Sequence, residues 1–552
     1  MANPDWYRDA IIYSIDVKTF NDSDGDGWGD LRGLIDRLGY IEQLGVDCLW
    51  LRPFYPSPIQ DNGYDVSDYY AVDSKLGSLG DFADLLERAH ERGIRVLIDM
   101  VFNHTSDQHP WFKRARRDPY SKYHDYYLWT SDVDNAQKRG NIFPDYEDGV
   151  WTYDGVAEKH YFHQFYHFQP DLNVANPAVQ EEICEVLEFW LDLGVDGFRI
   201  DAAHPMTMPK GHDGTELDDP MDLFKRMRSR VHEKNEEAVL LAEADDQPDE
   251  LAYYFGGGDS FDMMFNFVLN AHLVYGVGVK DTWPLHRALE VLPDISHVGH
   301  WANFLRNHDE WNLLKLPWEA MDHGRQFFGD EEGSSWIFGR GHRLRLADLY
   351  DGDHDRIALA NSLMFSMPGT PVLLAGDEIG MGANLSLPER EAVRTPMQWS
   401  DNANGGFSTA DPSELVNPAT DEGKFGYEEV NVADQVVDPD SLLRRIERIV
   451  DARRLCSEIG TGDLTVLDVP PKEVWVHRLA KGSTVLLTAH NTADEHREVT
   501  VEFEPPAEAS TRIVGPGEYH AEDGQCTFSL DACDYAWVRG DRKGERVPLG
   551  RP

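Results

Sequence analysis

Short apolar runs that end in polar or charged residues recur along the chain, and helical periodicity returns between most of them. Four of these runs are IRVLIDMVFNH (94–104), VDGFRIDAAH (195–204), AVLLAEAD (238–245) and WANFLRNHDE (301–310). Four more strand-like runs cover residues 10–17, 46–51, 261–269 and 369–382. Apolar strands alternating with helices are typical of a parallel sheet that is covered on both faces. We therefore predict an α/β protein built on an eight-stranded (β/α)8 TIM barrel.

The polar residues that end four of these runs form a pattern of their own. Arg199 and Asp201 are two positions apart, so a strand would place both on one face. Taken alone, such a pair is more simply read as a buried structural ion pair, because structural pairs also perturb pKa values. Four such strands favour a catalytic site instead, since a TIM barrel carries its chemistry at the C-terminal ends of its strands. The residues concerned are Asp99, Asn103, His104, Arg199, Asp201, Glu243, Asn307, His308 and Asp309.

Motifs within these runs resemble the signature regions of a known enzyme family. In chain order, DMVFNH, GFRIDAAH, AEAD and FLRNHD resemble the four signature regions of the α-amylase family, family 13 of the glycoside hydrolases. QPDLN (169–173) resembles its fifth region. The resemblance covers roughly the whole chain and implies cleavage of an α-glucosidic bond with retention of configuration.

Retention requires two carboxyl groups about 5 to 5.5 Å apart, one to attack the anomeric carbon and one to protonate the leaving oxygen. Asp201 is the candidate nucleophile, kept ionised by Arg199, and Glu243 is the candidate general acid and base. The apolar context of Glu243 is expected to raise its pKa and to keep it protonated until it is needed. Asp309 is expected to hydrogen-bond ring hydroxyls and to favour the oxocarbenium-like transition state.

Further residues are expected to bind one terminal glucose. The resemblance implies that Asp61 holds its hydroxyls, that Tyr64 stacks beneath the ring, and that Arg394 of VRTPMQW reaches into the same pocket. His104 and His308 would donate hydrogen bonds to this sugar. A loop anchor is the alternative for Tyr64, and a surface salt bridge is the alternative for Arg394. A pocket of this kind recognises the end of a small α-glucoside.

The stretch FNDSDGDGWGD, which follows the first predicted strand, is a candidate metal loop. Its aspartates alternate with small residues, and such hard oxygen ligands suit Ca²⁺. In relatives of the oligo-1,6-glucosidases, the resembled loop holds a structural Ca²⁺. The implied ligands here are Asp22, Asp24, Asp26, the carbonyl of Trp28, and Asp30. A solvated acidic turn is the alternative.

Composition divides the chain into three parts. Residues 1–104 and 169–455 are assigned to the catalytic barrel. Residues 105–168 are rich in Trp, Tyr, His and Asp, and the resemblance identifies this insertion after strand 3 as domain B, one wall of the cleft. Its histidines are interpreted as packed aromatic structure and not as a metal site. In residues 456–552, short alternating strands separated by turns predict an antiparallel β-sandwich.

The charge of the chain is strongly acidic. Its 51 basic and 99 acidic residues give a formal net charge of −48. Such a surface repels nucleic acid and anionic lipid, so neither is an expected partner. Only 15 of the basic residues are lysines, a balance that resembles proteins of salt-accumulating microbes. Self-repulsion of this size destabilises a compact state unless salt screens it, which predicts a salt requirement; an ordinary acidic enzyme is the alternative.

The sequence also bears on the compartment of the protein. No apolar stretch reaches the 18 residues of a membrane span, and MANPDWYRDA lacks the pattern of a signal peptide. The five cysteines are odd in number and lack metal spacing, which favours a reducing cytoplasm. A disulfide between Cys526 and Cys533 across a C-terminal hairpin remains an alternative. Composition does not set the oligomeric state.

Three functions remain open at this stage. Several stretches, among them NHTSDQHPWF and LLAEADDQPDELAYYFG, are similar to those of trehalose synthases, which implies interconversion of maltose and trehalose. Hydrolysis of maltose and malto-oligosaccharides by an α-glucosidase or amylase is the second possibility. AAHPMTMPKGHDGT and WNLLKL depart from the trehalose synthase pattern, which leaves the acceptor open. The third possibility, an inactive binding subunit, conflicts with the presence of all three candidate acids.

Overall fold

The computed structural model describes residues 3–134, 136, 140–210, 219–329, 333–505 and 509–543. The strands of these residues are β1 (Ile12–Ile15), β2 (Cys48–Leu51), β3 (Arg95–Met100), β4 (Trp129–Thr130), β5 (Trp151–Asp154), β6 (Lys159–Phe162), β7 (Gly197–Ile200), β8 (Val239–Ala242), β9 (Met263–Phe265), β10 (His300–Phe304), β11 (Trp311–Asn312), β12 (Trp336–Ile337), β13 (Gly341–His342), β14 (Thr370–Leu374), β15 (Asp463–Leu467), β16 (Val474–Lys481), β17 (Thr484–Asn491), β18 (Arg497–Glu502), β19 (Ser510–Val514), β20 (Glu518–Glu522), β21 (Gln525–Leu530) and β22 (Tyr535–Asp541). The α-helices are α1 (Val17–Phe20), α2 (Leu31–Asp36), α3 (Leu38–Leu44), α4 (Leu79–Glu91), α5 (Pro110–Ala115), α6 (Pro177–Leu193), α7 (Ala203–Thr207), α8 (Pro220–Lys234), α9 (Phe267–Val279), α10 (Trp283–Val291), α11 (Trp318–Phe327), α12 (Leu346–Leu349), α13 (His354–Ser366), α14 (Val432–Val437), α15 (Leu442–Leu455) and α16 (Glu458–Thr461).

The predicted barrel is confirmed. Eight parallel strands close in the order β1-β14-β10-β9-β8-β7-β3-β2. Side chains from alternate strand positions fill the lumen, including Trp50, Leu97, Leu241 and Phe304. The intervening positions pack outward against the helices. Burial on both faces is the reason why these strands read as continuous apolar runs.

Helix α6 shows how the sequence specifies the outer layer. Asn176 caps its first turn by accepting a hydrogen bond from Ala178 N, and Pro177 occupies the first helical position. The helix ends at Gly194, whose φ of 108° suits glycine. Its buried side chains recur at helical spacing, so one face packs on the barrel; they are Val179, Ile183, Val186, Leu187 and Trp190.

Two details of the strands differ from the sequence-based expectation. Each barrel strand is shorter than its apolar run, because the polar ends lie in loops. The run 261–269 was predicted as one strand, but only Met263–Phe265 is a strand, and helix α9 begins at Phe267. The Asn266 side chain accepts a hydrogen bond from Leu269 N and so caps this helix.

The chain between β3 and α6 forms a small sheet of its own. Strands β4, β6 and β5 pair antiparallel in that order. Isolated bridges from His104 to Asp171 and from Tyr127 to Leu172 connect this segment back to the end of β3 and to the QPDLN motif. The segment thus lies beside the C-terminal mouth of the barrel.

The C-terminal part is an antiparallel β-sandwich, as predicted. One sheet has the order β15-β16-β17-β22-β19, and the other has the order β18-β21-β20. The outer face of the larger sheet packs against barrel helix α13, where the Trp537 Nε1 donates to Ser362 Oγ at 2.9 Å. All five cysteines are buried free thiols, so Cys526 and Cys533 do not form the disulfide that was left open. Among the described residues, no helix combines the length and apolar character needed to cross a membrane.

Candidate active site

The alternation of side-chain direction along each strand places the candidate acids at the mouth of the barrel. Leu97 and Leu241 point into the lumen. Asp99 follows Leu97 by two positions, and Glu243 follows Leu241 by two positions. The side-chain period of a strand is two, so these carboxyl groups lie on the same inner face, one layer higher. The close packing of β7 on β8 depends on Gly197, whose φ is 149° and where a Cβ would come within 2.3 Å of the Val239 carbonyl.

Arg199 lies at the centre of the site and contacts three carboxylates. Its Nη1 lies 2.7 Å from Asp99 Oδ1 and 2.6 Å from Asp201 Oδ1, and its Nη2 lies 2.8 Å from Glu243 Oε2. The sequence predicted only the contact with Asp201. Because one guanidinium contacts both Asp201 and Glu243, the candidate nucleophile and the candidate acid lie side by side. Ala202 N also donates to Glu243 Oε2 at 3.1 Å.

The expected pKa directions hold for Glu243 and fail for Asp201. Burial raises the pKa of Glu243, against the opposing charge of Arg199, which agrees with the expectation for a general acid. Burial also raises the pKa of Asp201 well above its ordinary value, and Arg199 opposes this while Glu243 adds to it. Arg199 does lower the pKa of Asp201, as expected, but burial outweighs its charge, so the expected net direction of the pKa is wrong.

Asp201, Glu243 and Asp309 line one cavity of about 300 Å³. Four predicted substrate or catalytic residues of the outer loops line it together with Asp201 and Glu243. The lining residues are Asp61, Tyr64, His104, Ile142, Phe143, Phe165, Asp201, Ala202, His204, Pro205, Glu243, Asp245, Phe267, Asn307, Asp309, Glu310, Asn312, Leu314, Arg340 and Arg390. Its size and its mixture of aromatic and polar groups suit a small saccharide.

Two arginines, of which the sequence predicted one, surround Asp309. Arg394 Nη2 lies 2.7 Å from Asp309 Oδ1, but Arg394 is buried behind the cavity wall. Its guanidinium holds Asp309 and the His308 carbonyl, and its predicted contact with the sugar stays a prediction. Arg390 lines the pocket instead and bridges Asp309 Oδ1 at 2.9 Å and Asp61 Oδ1 at 2.8 Å. The sequence signal for it was a second arginine four residues before Arg394.

The charges around Asp309 set its ionisation. Burial opposes ionisation, but the surrounding positive groups hold the pKa of Asp309 well below its ordinary value. Burial lowers the pKa of His308 well below its ordinary value, so this ring is neutral at pH 7. Arg390 and Arg394, at 2.9 and 2.7 Å, are therefore the cations that keep Asp309 ionised.

Tyr64 and His104 line the cavity with three phenylalanines, and His308 stacks on Tyr64. Tyr64 OH lies 2.7 Å from His308 Nε2 and donates to Asp99 Oδ2 at 3.1 Å, and its ring stacks on His308 with centroids 5.5 Å apart. His308 thus contacts Tyr64, and its predicted hydrogen bond to the sugar stays a prediction. His104 lines the cavity, and burial lowers its pKa to about 4, so it is a neutral hydrogen-bonding group.

The two segments that depart from the trehalose synthase pattern also contribute residues to the cavity wall. His204 and Pro205 of AAHPMTMPKGHDGT line it, as do Asn312 and Leu314 of WNLLKL. Asp245 of AEAD lines it as well. The sequence assigned no role to these residues individually. Residues 211–218, which continue the first segment, lie outside the described residues.

The aspartate-rich loop partly meets the requirements of a Ca²⁺ site. One carboxylate oxygen from each of Asp22, Asp24 and Asp30 lies within 4.8 Å of the others. Because Ca²⁺ binds oxygens at about 2.3–2.6 Å, ligands of one ion lie within roughly 5 Å of one another, so these three fit. Asp26 lies outside this group, and its Oδ1 accepts a hydrogen bond from Trp28 N at 2.8 Å.

Comparison with known proteins agrees with this geometry. The family model for the α-amylase catalytic domain matches residues 14–462. The chain is 42% identical over 494 residues to the trehalose synthase/amylase TreS of Mycobacterium tuberculosis, which covers 88% of this chain and 82% of that protein. It is 30% identical to the oligo-1,6-glucosidase of Parageobacillus thermoglucosidasius, with 88% of this chain and 90% of that protein covered.

Solved structures of the same architecture superpose on nearly the whole chain. The α-amylase from H. orenii matches with a TM-score of 0.78 and 27% identity, covering 96% of this chain and 99% of that one. The trehalulose synthase MutB from Pseudomonas mesoacidophila matches with a TM-score of 0.78 and 25% identity, covering 98% of this chain and 100% of that one. The barrel, the acids at its mouth and these matches together establish that the chain is an enzyme of the α-amylase family, family 13 of the glycoside hydrolases.

Proposed function

We propose that this enzyme interconverts maltose and trehalose through a covalent glucosyl intermediate. The observation that carries the proposal is the pairing of Asp201 and Glu243 on one guanidinium, within a cavity whose wall is formed by the bridged Asp61, Arg390 and Asp309. Such a site holds one terminal glucose and leaves room for a small acceptor. The similarity to proteins named trehalose synthase over most of the chain supports the choice of reaction.

In the first step, Asp201 attacks the anomeric carbon of the terminal glucose, and Glu243 gives its proton to the glycosidic oxygen as that bond breaks. The products are a glucosyl ester on Asp201 and a free glucose. Ionised Asp309, held by its two arginines, accepts hydrogen bonds from ring hydroxyls. These bonds stabilise the oxocarbenium-like transition state.

In the second step, an acceptor hydroxyl attacks the anomeric carbon, the bond to Asp201 breaks, and Glu243 takes the acceptor proton. If the acceptor is the anomeric hydroxyl of the retained glucose, the product is trehalose. If the acceptor is water, the product is a second glucose. The alternative function, hydrolysis by an α-glucosidase, is supported by the similarity to oligo-1,6-glucosidases.

One experiment separates the two functions. The protein is incubated with maltose in molar KCl, and glucose and trehalose are separated and quantified over time. Trehalose as the main product supports the proposal. Glucose alone would assign the protein to the hydrolases, and internal shortening of starch would contradict the end-recognising pocket. Absence of any turnover under conditions where the protein is folded would contradict both functions.

We also propose that the aspartate-rich loop binds a structural Ca²⁺ through Asp22, Asp24 and Asp30, with Asp26 and the Trp28 carbonyl as further ligands by resemblance. The convergence of three carboxylates supports this. Thermal unfolding is measured at constant ionic strength after chelation and after Ca²⁺ is restored. The midpoint should rise with Ca²⁺ in the wild type and not in Asp24→Asn, whereas Asp36→Asn, a nearby exposed control, should respond like the wild type. No response of the wild type would refute the site.

The compartment and the charge lead to a last proposal, that the enzyme works in a reducing cytoplasm of high salt content. Five buried free thiols and a net charge of −48 support it. Molar salt shortens the Debye length to about 3 Å and so removes most surface repulsion. The unfolding midpoint should therefore be higher in molar KCl than in dilute buffer, and equal midpoints would contradict the salt requirement.

A further inference from the structure

Besides the Arg199 cluster and the Glu310–Arg340 pair, two further hydrogen-bonded sets of polar groups line the cavity. The first set, Asp61, Arg390 and Asp309, belongs to the glucose-binding machinery described above. The second set comes from the segments that follow β7, β8 and β10, and its pocket-lining members are His204, Asp245 and Asn312. The proposed reaction requires a second glucose to be retained next to Asp201 and Glu243, so the second set is the candidate for holding it.

Asp245, two residues after Glu243, is fixed from the loop after β10. Its Oδ1 lies 2.8 Å from Lys315 Nζ, and its Oδ2 accepts a hydrogen bond from Asn312 Nδ2 at 2.8 Å. Lys315 also donates to the Asp246 carbonyl. The Lys315 side chain is only 8% exposed, whereas that of Asp245 is 32% exposed at the cavity. A buried cation behind a partly open carboxylate keeps that carboxylate oriented, even in molar salt.

His204, three residues after Asp201, is fixed from the loop after β8. Its Nδ1 lies 2.8 Å from Tyr254 OH and 3.1 Å from Asp246 Oδ2. Tyr254 OH itself donates to Asp246 Oδ2 at 3.0 Å. With Nδ1 engaged in this way, Nε2 is the ring nitrogen that remains for a ligand in the cavity.

We propose that Asp245 and His204 bind hydroxyl groups of the released glucose and that Lys315 is a positioning residue which acts through Asp245. This inference rests on the proposed function and names its acceptor site. A neutral sugar offers several hydroxyls, which a carboxylate and an imidazole can bind at the same time. Each such bond slows the escape of the glucose relative to the arrival of water, so this set determines the partition between trehalose and free glucose.

The test compares Lys315→Met with Lys472→Met. Lys472 forms a similar ion pair with Asp281 at 2.7 Å, but its side chain is 69% exposed and the pair does not line the cavity. Loss of an oriented charge-assisted hydrogen bond is worth about a factor of ten, so the trehalose-to-glucose ratio from maltose should fall about tenfold in Lys315→Met. Lys472→Met should leave the ratio unchanged, and Lys315→Arg, which keeps the cation, should restore most of it.

A second measurement isolates the acceptor step. α-Glucosyl fluoride forms the covalent intermediate without a sugar leaving group, and added glucose then serves as the acceptor. The glucose concentration that gives half-maximal transfer should rise about tenfold in Lys315→Met and in Asp245→Asn. The factor by which this glucose concentration rises should be larger than the factor by which the rate of fluoride release decreases. An unchanged concentration in both variants would overturn the acceptor assignment.

The same data distinguish this inference from the proposed function. If the wild type hydrolyses α-glucosyl fluoride but never transfers glucose to glucose, interconversion of maltose and trehalose is refuted. The acceptor site is then judged by KM alone, because the second glucose of maltose still occupies it. A rise in KM for maltose relative to α-glucosyl fluoride in Lys315→Met supports the assignment, and equal changes in both KM values overturn it.

Discussion

Arg390 offers the sharpest prediction, because it joins two loops at the glucose pocket and was not assigned from the sequence. Its guanidinium contacts Asp61 Oδ1 at 2.8 Å and Asp309 Oδ1 at 2.9 Å. The three side chains are 11%, 7% and 18% exposed, so solvent screens these pairs little. Replacement of Arg390 by Gln leaves two carboxylates beside the sugar without their shared cation.

The magnitude follows from the number of contacts that are lost. Truncation of one partner of a buried, hydrogen-bonded charge pair at a binding site costs about 2–5 kcal/mol of binding free energy. Arg394 still holds Asp309 at 2.7 Å, which favours the lower half of this range. About 3 kcal/mol of transition-state binding corresponds to a decrease of roughly 100- to 200-fold in kcat/KM. Arg390→Lys keeps the charge but loses the two-pronged bridge, so its decrease should be smaller.

The assay is the initial rate of maltose consumption over a range of pH, with circular dichroism to confirm that each variant is folded. The positive groups around Asp309 depress its pKa, so removal of Arg390 should raise this pKa. The acid limb of the kcat/KM profile follows Asp201, whose pKa burial raises, so the loss of activity in Arg390→Gln should also be seen at pH values above this limb. A decrease of less than threefold in kcat/KM would refute the role assigned to this bridge.

Three further predictions concern the carboxyl groups of the site. Asp201→Ala should abolish turnover of maltose without loss of the fold, as measured by product formation and circular dichroism, and near wild-type activity would remove the nucleophile assignment. Glu243→Gln should lose about 10²- to 10⁴-fold on maltose but far less on α-glucosyl fluoride, whose leaving group needs no proton; equal losses on both substrates would contradict the general acid assignment. Because burial raises the pKa of Asp201 well above its ordinary value, the wild-type acid limb should lie above the pH range of an ordinary aspartate, and a profile that stays flat down to about pH 4 would contradict this.

The sequence by itself predicted the barrel and the candidate acids at its mouth. Apolar runs such as 238–245 specify buried strands locally, and the period of two then places a residue such as Glu243 above the lumen. The C-terminal sandwich was predictable for the same reason, since alternation along strands such as β16 and β17 is also a local property. Both conclusions depend on neighbouring residues in the chain, and the closed barrel and the two sheets confirm them.

Only the tertiary structure decided how the charges are shared. Arg199 is two residues from Asp201, yet it also contacts Asp99 and Glu243 from other parts of the barrel. Burial, together with these neighbouring carboxyl groups, raises the pKa of Asp201 against the expected direction. Arg390 contacts Asp61, 329 residues away in the chain, while Arg394 turns behind the wall. Contacts of this kind depend on distances through space in a medium of low polarity, and no local pattern of residues encodes such distances.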